Sequence, residues 1–184
     1  MKDDLKVRGL LFKTLSDWYR NNYDCEVGEK FAKVLEPETL GIMESAEKGG
    51  WYPAEHLMSV LKTCCEDKGK SKGASANLSD YGRYLCQVSL TTSFRGLIVF
   101  IDPMTLMKRM PLFWRRYFSG IELHAESVSE SNAELSLADE FGKELIPGMF
   151  AGWLNHALEM IGAEDIKVAQ GERKWDVSWE WSPD

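Results

Sequence analysis

Histidine and cysteine are scarce in this chain of 184 residues. The three histidines are His56, His124 and His156, and the four cysteines are Cys25, Cys64, Cys65 and Cys86. No histidine belongs to an H-x-x-H or H-E-x-x-H pair, and no two cysteines have C-x-x-C spacing. Zinc usually requires two closely spaced ligand pairs. We therefore predict no metal site and expect the cysteines to be buried, reduced thiols.

The chain also lacks the common catalytic and nucleotide-binding signatures. It contains no G-x-S-x-G turn, no Walker A loop and no G-x-G-x-x-G loop, so we predict that it is not an enzyme. No apolar run approaches the roughly 18 residues that a membrane-spanning helix needs. The N-terminus has no charged-then-apolar leader. We expect a cytoplasmic protein without membrane insertion.

Positive charge is in deficit, with 22 basic and 29 acidic residues and a formal net charge of −7. Nucleic acids and anionic membranes both favour basic surfaces, so this balance argues against a general nucleic-acid binder. The length fits one domain, and the hydrophobic content of 44% supports a sizeable core. We predict a single domain over residues 1–184.

Apolar residues recur at helical spacing through the first part of the chain, about residues 1–118. Helices are predicted at residues 4–20 and 27–35. A third is expected to open at 51–53, and a fourth to begin at 79–80 after a loop at 66–78. The all-apolar stretch 96–101 is predicted to be a buried helix, or less favourably a strand, and a last helix is expected to follow Asp102. Asp102 before Pro103 combines a capping residue with a favoured first position. Pro111 is expected to interrupt that last helix.

The apolar period changes to two in the remaining part, about residues 119–182. Residues 121–126 and 133–138 alternate around turn-forming residues 129–132, which predicts a β-hairpin. A helix is expected to start at Pro147 and to end at Gly162, before a second hairpin. The expected fold class is α+β: a helical N-terminal half followed by ββ-α-ββ with a four-stranded antiparallel sheet.

The last strand is the most distinctive pattern, because Trp175, Val177, Trp179 and Trp181 occupy alternate positions. Alternate residues of a strand share one face. Three tryptophans on one face are costly to leave in water, so this face is either the floor of a core or the wall of an apolar pocket. The pattern leaves both alternatives open.

A second aromatic cluster lies at residues 111–118, where Arg115 and Arg116 stand among Trp114 and Tyr117. Arginine and aromatic side chains together can hold a planar or acidic ligand; alternatively, the aromatics are core and the arginines pair with acidic surface residues. The candidate ligand-binding residues are Tyr81, Arg83, Tyr84, Trp114, Arg115, Tyr117, Trp153, Trp175 and Trp179. Met104, Met107 and Met110 are interpreted as core residues.

The helices, the hairpin, a helix that opens as Pro-Gly-Met-Phe-Ala-Gly-Trp-Leu at 147–154, and the closing hairpin resemble a known ligand-binding fold. It is shared by haem-nitric-oxide-binding (H-NOX) sensor domains, 4-vinyl-reductase-type regulatory domains and Golgi transport tethering subunits. The sequence is most similar to an uncharacterised bacterial, myxobacterial-type family of this fold. The motifs that carry this resemblance, over about residues 50–181, are Tyr52-Pro53, Gly82-Arg83, Phe150-Ala151-Gly152 and Gly162-Ala163.

The chain departs from those families at their functional residues. The haem sensors ligate iron through a histidine on the helix that corresponds to about Asp102–Met110, where this chain has none. Their Tyr-x-Ser-x-Arg motif is absent, as is the C-terminal cysteine cluster of the vinyl-reductase-type domains. The resemblance therefore implies the fold and an apolar pocket between helices and sheet. Methionine can in principle ligate haem, but without the histidine we expect the haem site to be lost and predict no cofactor.

Two hypotheses follow for function. The first is a non-catalytic sensory or regulatory domain in signalling, which binds an apolar or planar small molecule between the helices and the tryptophan face. The second is a protein-interaction or scaffold module with a filled core, expected to be a homodimer, with exposed aromatics near Trp51-Tyr52 or Trp114.

Overall fold

The computed structural model of the chain describes residues 5–22, 31–66, 74–93, 101–138, 142 and 145–182. Its helices are α1 (Gly9–Asn22), α2 (Pro37–Ser45), α3 (Ala54–Glu66), α4 (Ala74–Ser93), α5 (Pro103–Tyr117) and α6 (Ile146–Met160). Its strands are β1 (Lys6–Arg8), β2 (Trp51–Pro53), β3 (Phe118–Ser119), β4 (Leu123–Ser129), β5 (Asn132–Leu137), β6 (Glu164–Gln170) and β7 (Lys174–Glu180). The predicted α+β class is confirmed.

The large sheet has four antiparallel strands in the order β4-β5-β7-β6. Both predicted hairpins are present, and β7 lies beside β5 with Trp175 opposite Leu135 and Val177 opposite Ala133. These four side chains are buried. The buried face of β7 continues to Trp179 but not to Trp181, which follows the end of the strand and is 39% exposed. The prediction that Trp181 shares the buried face is therefore wrong.

A small second sheet, with the order β2-β1-β3, was not predicted. Val7 lies opposite Tyr52 on one side and Phe118 on the other. Residues 6–8 are therefore a strand, and the first helix begins at Gly9 and not at residue 4. Residues 51–53 are likewise a strand that precedes α3. Strands of two or three residues are too short to show alternation, and only their pairing partners specify them.

Helix α5 confirms the predicted cap but not the predicted break. Asp102 accepts a hydrogen bond from the Thr105 backbone N–H at 2.8 Å, as an N-cap does. Pro111 lies inside the helix, which continues to Tyr117. The turn beyond the proline buries Phe113, Trp114 and Tyr117. This burial explains why the helix continues despite the missing N–H of the proline.

The helix α6 begins with Pro147 in its first turn and is followed by Gly162 at a φ of 81°, as predicted. Helix α4 begins at Ala74, so the predicted loop at 66–78 is helical from that residue on. Of the predicted helix at 27–35, residues 31–35 are described, and they form a turn in which only Phe31 is helical, so the prediction is wrong for that part. Residues 27–30, Cys25 and the apolar stretch at 96–101 apart from Ile101 lie outside the described residues. Cys64 and Cys86 are buried.

Helices α4 and α6 pack very closely at two glycines, Gly82 in α4 and Gly152 in α6. A Cβ atom on Gly82 would lie 1.8 Å from the Met149 carbonyl oxygen, and one on Gly152 would lie 2.0 Å from the Ser79 carbonyl oxygen. Both distances are far shorter than a carbon and an oxygen that are not bonded to each other can approach. Both glycines are therefore required by the approach of the two backbones.

Candidate functional site

Three of the predicted ligand-binding tryptophans, Trp114, Trp153 and Trp175, meet in one aromatic cluster between α5, α6 and the large sheet. Phe150 stands at its centre, with its ring centroid 5.2 Å from that of Trp114, 6.2 Å from that of Trp153 and 4.8 Å from that of Trp175. The indole N–H of Trp114 donates to the Ile121 carbonyl at 3.1 Å, and that of Trp175 donates to the Pro147 carbonyl at 3.0 Å. These contacts are those of a packed core.

The indole N–H of Trp153 differs from the other two. It is buried and has no hydrogen-bond partner with acceptable geometry within the part of the chain that the structure describes. Trp153 lies close to the hydroxyl of Tyr117. Burial raises the pKa of that hydroxyl to about 12, while the side chains of Ser89 and Trp153 act to lower it. A buried donor without a partner is uncommon and is often explained by a bound water or ligand.

Two of the three predicted polar residues of α4, Tyr81 and Arg83, form hydrogen bonds within the protein. The hydroxyl of Tyr81 is fully buried and donates to the Leu11 carbonyl at 2.8 Å, with Thr14 Oγ1 at 3.1 Å, so it joins α4 to α1. Burial raises the pKa of Tyr81. Tyr84 is half-buried, and burial together with Asp17 raises its pKa.

The guanidinium of Arg83 forms a two-pronged ion pair with Glu159, at 3.0 and 2.7 Å, and donates to Asn155 Oδ1 at 2.9 Å. His156 Nδ1 lies 3.1 Å from the same Glu159 carboxylate. The hydrogen bond with Arg83 lowers the pKa of Glu159, and the same bond raises the pKa of Arg83. Arg83 therefore bridges α4 and α6 beside the close glycine crossing.

Arg115 lies apart from the other candidates, on the surface at the end of α5. It lines a cleft of about 420 Å³ together with Trp51 and residues 118–122. Trp114 and Tyr117, its predicted aromatic neighbours, point into the core instead. The exposed aromatic residue beside Arg115 is Trp51, which β2 brings from a distant part of the sequence.

A second cleft, of about 390 Å³, lies where the first turn of α5 meets the end of β7; we call it the α5–β7 cleft. Its lining residues are Asp102, Pro103, Met104, Glu130, Ser131, Trp179 and Trp181. Of the two predicted ligand-binding residues on β7, Trp179 lines this cleft, whereas Trp175 lies in the core. The Ser127 hydroxyl donates to the sulfur of Met104 at 3.1 Å. Sequence reasoning interpreted Met104 as core, because only the fold brings β4 and β7 beside it.

Asp102 is charged at the rim of this cleft. Partial burial acts to raise its pKa, but the side-chain and backbone hydrogen bonds from Thr105 outweigh burial and lower the pKa. The Thr105 hydroxyl donates to the second carboxylate oxygen at 2.6 Å. The carboxylate therefore holds the start of α5 and gives the cleft a negative edge.

The Asp102→Ala variant should lose about 0.5–2 kcal/mol of stability at neutral pH, the usual cost of removing an N-cap. The lowered pKa means that this contribution is present above the unfolded-state pKa and is lost as the pH falls through the folded-state pKa. Urea unfolding should therefore show a gap between wild type and variant that narrows in acid. Asp102→Asn, which keeps an acceptor, is the control; an equal loss in that variant would contradict the capping role.

Among the residues described, no group of three or more histidine, cysteine, aspartate or glutamate side chains is placed to hold a metal ion. In the same residues, none of the helices has the length and apolar character needed to cross a membrane.

The fold matches solved H-NOX structures over nearly the whole chain. The Fe(II) unliganded H-NOX protein from K. algicida is 14% identical with a TM-score of 0.74, covering 96% of this chain and 98% of that one. A structure described as probing heme distortion in the H-NOX family is 14% identical with a TM-score of 0.69, covering 97% and 100%. An oxygen-binding H-NOX domain related to soluble guanylate cyclases is 16% identical with a TM-score of 0.62, covering 96% and 97%. These likenesses confirm the predicted H-NOX-type fold.

The prediction that the protein has no cofactor is contradicted by these comparisons. The similar structures are H-NOX domains, and their descriptions name heme or its Fe(II) state. A missing histidine at 102–110 was therefore not sufficient reason to exclude haem. The resemblance to 4-vinyl-reductase-type domains, to Golgi transport subunits and to a myxobacterial-type family stays a prediction.

No curated protein matches the chain. A family model, by contrast, matches residues 3–180, almost the entire sequence. The chain therefore belongs to the family described as Protein of unknown function (DUF2378).

Proposed function

We propose that this protein is a sensory domain that binds a small molecule. The observation that carries the proposal is the match to H-NOX structures over almost the whole length of both chains, with the same arrangement of helices and sheet. One of those structures is described as probing heme distortion, and another is the oxygen complex of an oxygen-binding domain. A fold does not by itself determine a function, so the proposal also depends on a site in this chain.

The α5–β7 cleft is the proposed ligand site. Its volume of about 390 Å³ lies within the usual range for small-molecule sites. Trp179 and Trp181 supply apolar aromatic surface, Met104 supplies a polarisable sulfur, and Asp102 and Ser131 supply polar groups that can orient a ligand. Such a mixture of apolar walls and a few polar groups is typical of ligand pockets.

Haem is the first ligand to test, because the descriptions of the similar structures name heme or Fe(II). The described residues offer one suitable donor at the cleft, the thioether of Met104, and methionine is an axial haem ligand in some cytochromes. The hydrogen bond from Ser127 fixes the position of that sulfur. Haem would supply an iron centre that binds a diatomic gas.

Native mass spectrometry, compared with the denatured mass, tests the proposal together with a visible absorption spectrum recorded before and after hemin is added. We expect extra mass that is lost on denaturation, and a Soret band if the ligand is haem. Met104→Leu, which keeps the volume and removes the sulfur, should shift or abolish that band while circular dichroism stays unchanged. An apo mass together with no spectral response to hemin would contradict haem sensing by this domain.

A protein-interaction module is the second candidate function. One observation favours it: Trp51 and Leu112 are large apolar residues that remain exposed, at 38% and 61%. The predicted homodimer stays a prediction, and light scattering on the purified protein tests it.

A further inference from the structure

The outward side of α5 carries positive charge with an apolar residue at its centre. Lys108, Arg109, Arg115 and Arg116 each lie three or four residues before or after Leu112, so all five share one side of the helix. All five are exposed. The helix contains no carboxylate between Pro103 and Tyr117. We call these five residues the basic face.

Three of the four cations of the basic face have no ion pair among the residues that the structure describes. They are Lys108, Arg109 and Arg115. The chain as a whole has seven more acidic than basic residues. Elsewhere on the surface, Lys174 is paired with Glu134 at 2.6 Å and Arg20 with Asp17 at 3.2 Å. A concentration of unpaired positive charge on an acidic protein marks a separate electrostatic surface.

An aromatic cleft adjoins the basic face. Arg115 lines the cleft of about 420 Å³ on one side, and Trp51 lines it on another. The guanidinium of Arg8 lies 4.0 Å from the centroid of the Trp51 ring, which holds the indole in place by a cation–π contact. Glu122 is the single carboxylate among the lining residues. The cleft therefore combines an ordered, exposed indole with a guanidinium that has no ion-pair partner among the described residues.

We propose that the basic face and the Trp51 cleft form a docking surface for an acidic segment of a partner protein. Carboxylates of the segment would pair with Arg109 and Arg115, and an apolar side chain would pack on Leu112 or enter the cleft beside Trp51. Tryptophan and arginine are the residues that most often dominate the energy of protein interfaces. Unpaired cations facing an acidic partner increase its association rate and its selectivity.

A protein segment fits this surface better than a nucleic acid does. Leu112 at the centre is 61% exposed and offers apolar contact, which a phosphate backbone cannot use. The rest of the protein carries an excess of negative charge, which would repel a long polyanion. A short acidic segment with an apolar residue avoids that repulsion because it meets only the basic face.

Docking at this surface goes beyond ligand binding and does not depend on it. The same helix nevertheless contributes to both places, with Met104 in its first turn at the α5–β7 cleft and Arg115 in its last turn at the Trp51 cleft. A partner on the basic face would therefore contact the element that also lines the ligand cleft.

Fluorescence anisotropy with a labelled synthetic peptide of alternating glutamate and leucine residues tests the proposal on the full chain. We expect binding that weakens as salt rises from about 50 to 200 mM. Arg115→Glu and Arg109→Glu should each weaken binding by at least about 10-fold, because each replaces an attraction by a repulsion. Leu112→Ser should weaken it several-fold at unchanged charge. Circular dichroism checks that each variant is folded.

The matched control is Lys167→Glu, an exposed position on β6 where the substitution changes the net charge by the same amount as Arg115→Glu. Its binding should equal that of the wild type. Equal weakening by Lys167→Glu would overturn the proposal, since the effect would then come from net charge alone. Failure to bind the acidic peptide would overturn it too, as would preferential binding of duplex DNA or of vesicles of an anionic phospholipid.

Discussion

Replacement of Trp175 by alanine should destabilise the protein by about 3–5 kcal/mol, the usual range for removing a large aromatic side chain from a core. Trp175 is completely buried, and its ring centroid lies 4.8 Å from that of Phe150. The substitution leaves a cavity and also removes the hydrogen bond to the Pro147 carbonyl, which stays buried without its donor. Urea or guanidinium unfolding measures the loss.

Trp181→Ala is the matched control for this variant, because Trp181 follows the same strand but is 39% exposed. Its loss of stability should stay within about 0.5 kcal/mol, as for most surface positions. A loss below about 1 kcal/mol for Trp175→Ala would show instead that the tryptophan face borders a loosely packed pocket. The two variants thus address directly whether this face is a core or a pocket wall.

Gly152→Ala should destabilise the protein by about 3 kcal/mol, although alanine is the better helix former. The new Cβ atom would lie 2.0 Å from the Ser79 carbonyl oxygen, and a backbone atom cannot move away by changing a rotamer. Helices α4 and α6 would have to separate, which disturbs the core between them and the Arg83–Glu159 ion pair beside it. Overpacking of this kind typically costs 1–3 kcal/mol, occasionally more.

Gly41→Ala is the control, since Gly41 lies within α2 and a Cβ atom there would have no neighbour within 4 Å. Alanine at this position should stabilise the protein by up to about 1 kcal/mol, the ordinary difference in helix propensity. Thermal or urea unfolding compares the two. If Gly152→Ala were neutral or stabilising, the close crossing of α4 and α6 would be wrong.

The parts of the fold that could be predicted have local causes. The β4–β5 hairpin and β7 were found because side chains alternate along a strand, and α6 because an apolar stripe repeats every three to four residues. The Asp102 cap and the positive φ of Gly162 were found because the chemistry of a helix end depends on one or two residues. Each of these signals is complete within a short stretch of sequence.

The parts that could not be predicted depend on partners far away in the chain. Residues 6–8 form a strand because residues 51–53 and 118–119 lie on either side of them. Pro111 continues a helix because the turn beyond it is buried. A capping or periodicity argument contains no information about such partners, so it assigned these segments to a helix or to a helix end.

The candidate site shows the same division. The sequence by itself determined the α+β class and the resemblance to the H-NOX fold, and it identified the tryptophans and arginines that are candidates for binding a ligand or partner. Only the tertiary structure decided their roles. It directs Trp114 and Trp175 into the core, leaves Arg115 outside beside Trp51, and brings Met104 next to Trp179. The physical reason is that residue type limits what a side chain can contact, whereas packing between distant elements determines which contact it makes.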